Sequence, residues 1–173
     1  MEMKLKKILI DESNQVFDKK NLHFIEFPSD FRKIRYYSKF ILRTVTLMED
    51  DLILLEQQIS ELIANAIRHG NKRNINKKVK VWYSFNSEKA HIIIEDEGEG
   101  FKDIEKWNEF NKKRMEAINE NNYDKMKEFI LYKSLNSDDI SGGNALFAAL
   151  EYWNGGIVFN NKRNAVSVLR IFK

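Results

Sequence analysis

The stretch Glu61-Leu-Ile-Ala-Asn65-Ala-Ile-Arg-His-Gly70, followed further along by Asp96-Glu-Gly-Glu-Gly-Phe101, decides the fold predicted for this chain. The first segment places a carboxylate, Glu61, and a carboxamide, Asn65, four residues apart, so both project from one face of a helix. The second segment ends an apolar strand at Asp96 and then turns at two glycines. Neither segment is informative alone, but their order and separation together indicate one site.

The first segment lies at the end of a helix predicted from Asp50 or Asp51 to about Arg68. Gly70 supplies the C-terminal stop. Taken alone, a Glu-x-x-x-Asn pair is more often an exposed polar face than a site. The functional interpretation is that Asn65 offers a neutral oxygen to Mg²⁺ while Glu61 keeps a basic carboxylate nearby. The helix is indicated by apolar residues at three- and four-residue steps: Leu52, Leu55, Ile59, Leu62, Ile63 and Ala66.

The second segment follows the buried-strand pattern Ile92-Ile-Ile-Glu95. An ionised carboxylate at Asp96 only accepts hydrogen bonds, and can take one from the exocyclic amino group of adenine. Gly98 and Gly100 remove side chains where a flat base needs room. Standing alone, the segment is an ordinary turn. It is not a dinucleotide fingerprint, because Asp103 stands where a third glycine is required.

A third segment, Gly142-Gly143-Asn144-Ala145, precedes a short predicted helix that runs through Trp153. Free backbone N–H groups at a helix N-terminus form an anion site. For this segment alone, ordinary helix capping is the simpler interpretation.

The remaining patterns predict an α+β fold, a two-layer sandwich with helices on one face of a mixed, mostly antiparallel sheet. The only proline, Pro28, ends a strand that begins at His23, and Ser29 or Asp30 begins a helix. The predicted strands, the first of them the least regular, are Lys4–Ile10, His23–Pro28, Val79–Phe85, His91–Asp96, Ile157–Asn160 and Ala165–Phe172.

The composition limits the classes of function. A chain of 173 residues with 43% hydrophobic residues predicts a single domain with a sizeable core. The net charge of +3, from 29 basic and 26 acidic residues, is too small to argue for direct nucleic-acid binding. No cysteine is present, and neither a signal peptide nor a membrane span is indicated, so we expect a soluble cytoplasmic protein.

Together the three segments resemble the asparagine box and two glycine boxes of the Bergerat-fold (histidine kinase-like, GHKL) ATPases. Within that group the sequence is most similar to the small anti-sigma factor serine/threonine-protein kinases, over roughly residues 21–173. The resemblance implies ATP and Mg²⁺ as cofactors, and a homodimer that binds a sigma factor and phosphorylates a serine of an anti-anti-sigma protein.

The resemblance also implies a role for each matching residue. Glu61 is the general base for the serine hydroxyl and Asn65 ligates Mg²⁺. Asp96 reads the adenine amino group. The other nucleotide-binding residues implied are His69, Gly98, Gly100, Phe101, Gly142, Gly143, Asn144, Ala145, Leu146 and Ser167, of which Ser167 supports Asp96 through water. His69 is otherwise a helix-end cap, and Ser167 an ordinary alternating strand residue.

Three departures from the family pattern bear on turnover and partner identity. Ala145 replaces the second glycine of the last box. Residues 1–20 form an N-terminal extension, and residues 102–141 form a lid or insert longer than in the small kinases. The insert has an apolar stripe that predicts core packing. The alternatives are a partner-docking surface or a lid that orders when nucleotide or partner binds. The stripe consists of Ile104, Trp107, Phe110, Met115, Ile118, Tyr123, Met126, Phe129 and Ile130.

Two other functions stay open at this stage. One is a nucleotide-gated module that binds partners without phosphorylating them, which Ala145 and the insert favour. The other is the detached ATPase domain of a sensor kinase. It is the poorer match, because no histidine lies in a dimerisation-helix context: His23 and His91 fall in strand patterns and His69 in the asparagine box.

Overall fold

A six-stranded mixed sheet forms one layer of the protein. The computed structural model describes residues 6–47, 49–127 and 148–172. The strand order is β1-β5-β6-β4-β3-β2, in which β1 runs parallel to β5 and every other pair is antiparallel. The strands are β1 Ile8–Ile10, β2 His23–Pro28, β3 Lys78–Phe85, β4 Lys89–Glu95, β5 Gly156–Phe159 and β6 Ala165–Ile171.

Helices form the second layer. The α-helices are α1 Ile34–Leu42, α2 Glu49–Asn65 and α3 Ile104–Asn119. Short 3-10 turns precede β2 and α1, at Gln15–Phe17 and Phe31–Lys33, and a π turn, Ala66–Gly70, extends α2. Residues 123–127 and 148–152 are also helical.

The core lies between α2 and the inner face of the sheet. Four α2 and π-turn residues spaced four apart, Leu55, Ile59, Ile63 and Ile67, are 0% exposed. They pack with the inward residues of the central strands, among them Val81 and Ile92. Burying each side chain of this size contributes about 1.5–3 kcal/mol. This stripe fixes the rotation of α2, so the opposite side of the same helix faces outward.

The N-terminal segment covers part of the outer face of the sheet. Ser167 Oγ donates to the carbonyl oxygen of Val16 at 2.5 Å. His91 Nε2 lies 2.8 Å from that oxygen and 3.1 Å from Ser167 Oγ. Burial lowers the pKa of His91, and the hydrogen bond to Val16 opposes that shift. On this side Ile93, which pairs with Ser167, is 0% exposed.

The extension and the insert contact each other through two asparagines of α3. The Asn108 side chain accepts from Ile8 N–H at 2.9 Å and donates to Ile8 C=O at 2.8 Å, as a neighbouring strand would. The buried Asn111 donates to Lys6 C=O at 2.8 Å. Helix α3 therefore covers an edge strand whose backbone would otherwise remain unpaired.

The structure confirms the predicted fold class, a mixed sheet layered with helices. The strand predicted over Lys4–Ile10 is present, but only over Ile8–Ile10. In the insert, Ile104 and Met115 are buried as core packing predicts, whereas Tyr123 is 72% exposed. Phe129 and Ile130 lie outside the described residues. Among the helices that are described, none has the length and apolarity needed to cross a membrane.

Candidate functional site

The end of α2 is shaped by a π turn that sequence analysis did not predict. Asn71 N–H donates to Ala66 C=O at 2.8 Å, five residues back, and Arg73 N–H donates to Ile67 C=O at 2.7 Å. Such one-turn widenings of a helix occur often at functional sites. The turn carries Gly70 against the carboxyl group of Asp96, where any Cβ atom would overlap that group. A side chain at position 70 would therefore displace the Asp96 carboxyl group.

Asp96 lies immediately after β4 and is half-buried. Gly98 N–H donates to Asp96 Oδ1 at 2.7 Å, and a Cβ atom at Gly98 would overlap the carbonyl group of Gly70. Burial raises the pKa of Asp96 to about 6, although this hydrogen bond and the charges of Lys162 and Lys77 lower it. The two glycines let the end of α2 and the turn after β4 approach the Asp96 carboxyl group closely. When ionised, that carboxylate is an acceptor for a ring that carries an amino group.

The turn after Asp96 is fixed by the closing hairpin. Gly100 has φ +92°, a conformation that favours glycine, and a side chain there would overlap the carbonyl oxygen of Lys162. Phe101 N–H donates to Arg163 C=O at 2.9 Å. The Phe101 ring is 38% exposed and stacks on Phe159 with 5.9 Å between centroids. The predicted second segment is thus anchored along its length.

Glu61, Asn65 and His69 follow one another at four-residue steps, and all three are exposed. No hydrogen bond or ion pair of the Glu61 or Asn65 side chain occurs within residues 6–47, 49–127 and 148–172. In the same ranges no three His, Asp or Glu side chains cluster as a ready-made metal site. An exposed carboxamide suits Mg²⁺ that takes its other ligands from phosphate oxygens and water. The helix therefore offers one neutral ligand and one base on the same face.

Ser167 is not part of this cluster. It pairs with Ile93 across β4 and β6, and its hydroxyl group is bonded to Val16 on the outer face of the sheet. Because side chains alternate along a strand, the neighbour on the Asp96 side is Val166, opposite Ile94, which has no hydroxyl group. The prediction that Ser167 supports Asp96 through water was therefore wrong. The serine instead bonds to the N-terminal segment at Val16.

Five predicted nucleotide-binding residues cannot be placed. Gly142, Gly143, Asn144, Ala145 and Leu146 lie outside the described residues. Their predicted role at the phosphates stays a prediction.

Two buried asparagines next to Asp96 were missed by sequence analysis. Asn71 is 0% exposed and Asn164 is 8% exposed, and both side chains are bonded to backbone groups around Asp96. Asn71 follows the glycine that ends the asparagine box, which was the available signal. Asn164 stands in a hairpin turn, where asparagine is common, so nothing in its local sequence marked it.

The chain was compared with known proteins. The family model described as histidine kinase-like ATPase domain matches residues 27–143. No curated protein matches the chain. The matched range contains Asp96, the exposed pair on α2, and the turn at Gly70 that joins them. Since it covers more than half of the sequence, the chain belongs to the histidine kinase-like ATPase domain family.

Proposed function

We propose that this protein is an ATP-binding regulator in which the Asp96 carboxylate binds adenine. The observation that carries the proposal is the half-buried Asp96 carboxylate between Gly70 and Gly98. Adenine presents an amino group to this acceptor, and a keto-bearing base presents an oxygen that the carboxylate repels. The phosphates would then extend toward the exposed face of α2, where Asn65 would ligate Mg²⁺.

The finer proposal is a protein serine kinase of the anti-sigma factor type. The serine oxygen of the partner attacks the γ-phosphorus of ATP, the bond from that phosphorus to the β–γ bridging oxygen breaks, and ADP leaves. The hydroxyl proton passes to Glu61. Positioning and charge neutralisation supply most of the rate in such transfers, with general-base assistance adding to it. The exposed position of Glu61, one turn before Asn65, supports this assignment.

The proposed partners are a sigma factor and an anti-anti-sigma protein, and the proposed assembly is a homodimer. These follow from the family resemblance described above. Light scattering on the purified protein measures the assembly directly. A mass of about twice 20.6 kDa supports the dimer, and the mass of one chain rejects it.

The test of the kinase is capture of partners with and without Mg-ATP, followed by mapping of phosphorylated sites. Transfer of phosphate to a serine of a captured protein by the wild type, and its absence with Glu61→Gln, supports the kinase. Glu56→Gln is the matched control, because Glu56 lies on the same helix but pairs with Arg35 at 3.5 Å. Nucleotide-dependent capture without any phosphorylation would instead favour a nucleotide-gated binding module.

A further inference from the structure

We propose that Asn71 and Asn164 are positioning residues for base recognition, because together they hold the single peptide group that joins Asp96 to Glu97. The proposal rests on the function proposed above, in which Asp96 reads adenine. It adds two residues to that site, and neither of them touches the nucleotide itself.

Asn164 holds the oxygen side of this peptide group. Its Nδ2 donates to Asp96 C=O at 2.6 Å, and its own backbone C=O accepts from Asp96 N–H at 2.9 Å. The amide orientation of Asn164 is set in turn by Asn160, whose Nδ2 donates to Asn164 Oδ1 at 3.0 Å. Asp96 is therefore bonded on both of its backbone groups to one residue of the closing hairpin.

Asn71 holds the N–H side of the same peptide group from the opposite direction. Its Oδ1 accepts from Glu97 N–H at 2.7 Å. Its Nδ2 donates to Ser29 Oγ at 2.7 Å and to Lys78 C=O at 2.8 Å. Both donor hydrogens and the acceptor oxygen are used, so the side chain has a single favourable orientation.

A planar peptide group that is held at its oxygen and at its hydrogen cannot rotate. Rotation of this group would move the Asp96 side chain, and it would also move Gly98 N–H away from Asp96 Oδ1. We call the bonds from Asn71 and Asn164 to this peptide group the clamp. Because both asparagines are buried, breaking the bonds of either one would leave a polar group unsatisfied, which is costly. The clamp thus fixes where the Asp96 carboxylate points before any nucleotide binds, and such preorganisation favours binding.

The experiment compares the affinity for ATP with the affinity for purine riboside triphosphate, which lacks the 6-amino group. Titration calorimetry gives both dissociation constants for the wild type, for Asn164→Leu and for Asn71→Leu. The control is Asn111→Leu, because Asn111 is also a buried asparagine bonded to a backbone carbonyl, but it lies on α3 and bonds to Lys6, away from Asp96. The Asn111→Leu variant shows how removal of a buried amide elsewhere in the protein changes nucleotide affinity.

The wild type and the Asn111→Leu variant should bind ATP about tenfold or more tighter than the analogue, the factor for a hydrogen bond to a charged acceptor. In Asn164→Leu and Asn71→Leu, the ratio of ATP affinity to analogue affinity should fall below about threefold. ATP should bind more weakly, whereas the affinity for the analogue should change by less than about twofold. A ratio that stays at the wild-type value would overturn the clamp. If both affinities fall by the same factor, the asparagines have a merely structural role, and if neither affinity changes, they have no role in binding.

A failure of the proposed function has a different signature. A wild-type protein that binds neither nucleotide, or that binds both equally, contradicts base recognition by Asp96 and removes the basis of the clamp. If the leucine variants do not fold, Asn160→Ala replaces them, since it removes the bond that orients Asn164 at a half-buried position. A reduced ratio in that variant supports the clamp, and a wild-type ratio overturns it.

Discussion

The two ends of the candidate ATP site differ in how completely the protein builds them. At the base end, Asp96 is half-buried, its following peptide group is held by two asparagines, and Gly70 and Gly98 pack closely around it. At the phosphate end, Glu61 and Asn65 are exposed on the outward side of α2. The base end is thus preorganised, whereas the proposed partners of the groups at the phosphate end are the metal, the phosphates and the acceptor hydroxyl.

This difference separates the effects of substitutions at the two ends. Changes at the base end should alter nucleotide affinity, selectivity and the stability of the fold together. Changes at the phosphate end should alter metal dependence or phosphotransfer and leave the fold intact, because exposed substitutions change stability little.

The largest expected effect is on phosphotransfer at the phosphate end. Glu61→Gln keeps the shape of the side chain but removes the base, so the transfer rate should fall by about 10²–10⁴-fold, the range for general-base catalysis. ATP affinity should stay within about twofold, because Glu61 acts on the acceptor hydroxyl and not on the nucleotide. Single-turnover phosphotransfer and calorimetry measure the two quantities. An unchanged transfer rate would remove Glu61 from its catalytic role.

The next effect is on affinity at the base end. Asp96→Asn replaces the charged acceptor by a neutral amide, so ATP binding should weaken by about 10- to 100-fold. Glu99→Gln is the matched control, because Glu99 is exposed in the same loop and pairs with Lys102 at 3.0 Å. If both variants weaken binding equally, the effect is a loss of loop charge and Asp96 does not read the base.

A smaller effect is expected on the metal dependence of binding. Asn65→Ala removes the proposed ligand of Mg²⁺, so affinity for Mg-ATP should fall on the order of tenfold, the lower range for disturbed metal sites. Affinity for ATP in the presence of a chelator should stay unchanged. Gln57→Ala, at an exposed position on the same helix, should change neither. A loss that is equal with and without Mg²⁺ would contradict ligation by Asn65.

The smallest effect is on stability, and it belongs to the base end alone. The folded-state pKa of Asp96 is raised to about 6 from 3.8, because burial disfavours the ionised form. The stability that protonated Asp96 contributes is therefore fully present below pH 4 and is lost as the pH rises through 6. Asp96→Asn should be more stable than the wild type at pH 8, by about 1–2 kcal/mol after discounting for partial exposure.

Urea unfolding at pH 8, 6 and 4 measures this difference, which should shrink as the pH falls. Glu61→Gln provides the comparison with the phosphate end, and its free energy of unfolding should stay within about 0.5 kcal/mol of the wild type at every pH. If Asp96→Asn has a lower free energy of unfolding than the wild type at pH 8, the ionised carboxylate is well solvated or paired and does not destabilise the fold.

Local sequence patterns were sufficient to predict most helices and hairpins. The stripe from Leu55 to Ile63 has helical spacing, and the strands on either side of residues 86–88 alternate or run apolar. These patterns depend on neighbouring residues only. They also placed Asp96 at a strand end and Gly70 at a helix end, and the structure has both residues at those positions.

Contacts between distant residues could not be predicted in the same way. Asn108 meets Ile8 across 100 positions, and Ser167 meets Val16 across 151. An asparagine or serine pattern does not reveal which backbone group it will bond, because every backbone offers the same donor and acceptor. The same reason hid the role of Asn71, and it explains why Ser167 was predicted to support Asp96 rather than to bond to Val16.

The most direct measurement of the central claim is hydrogen exchange of the wild-type protein with and without Mg-ATP. The claim is that the end of α2 and the turn after β4 form one nucleotide site. Slower exchange on adding Mg-ATP is therefore expected both in residues 66–73 and in residues 97–101, with no change at Gln15–Phe17 on the outer face. Unchanged exchange in both segments at saturating Mg-ATP would contradict the account.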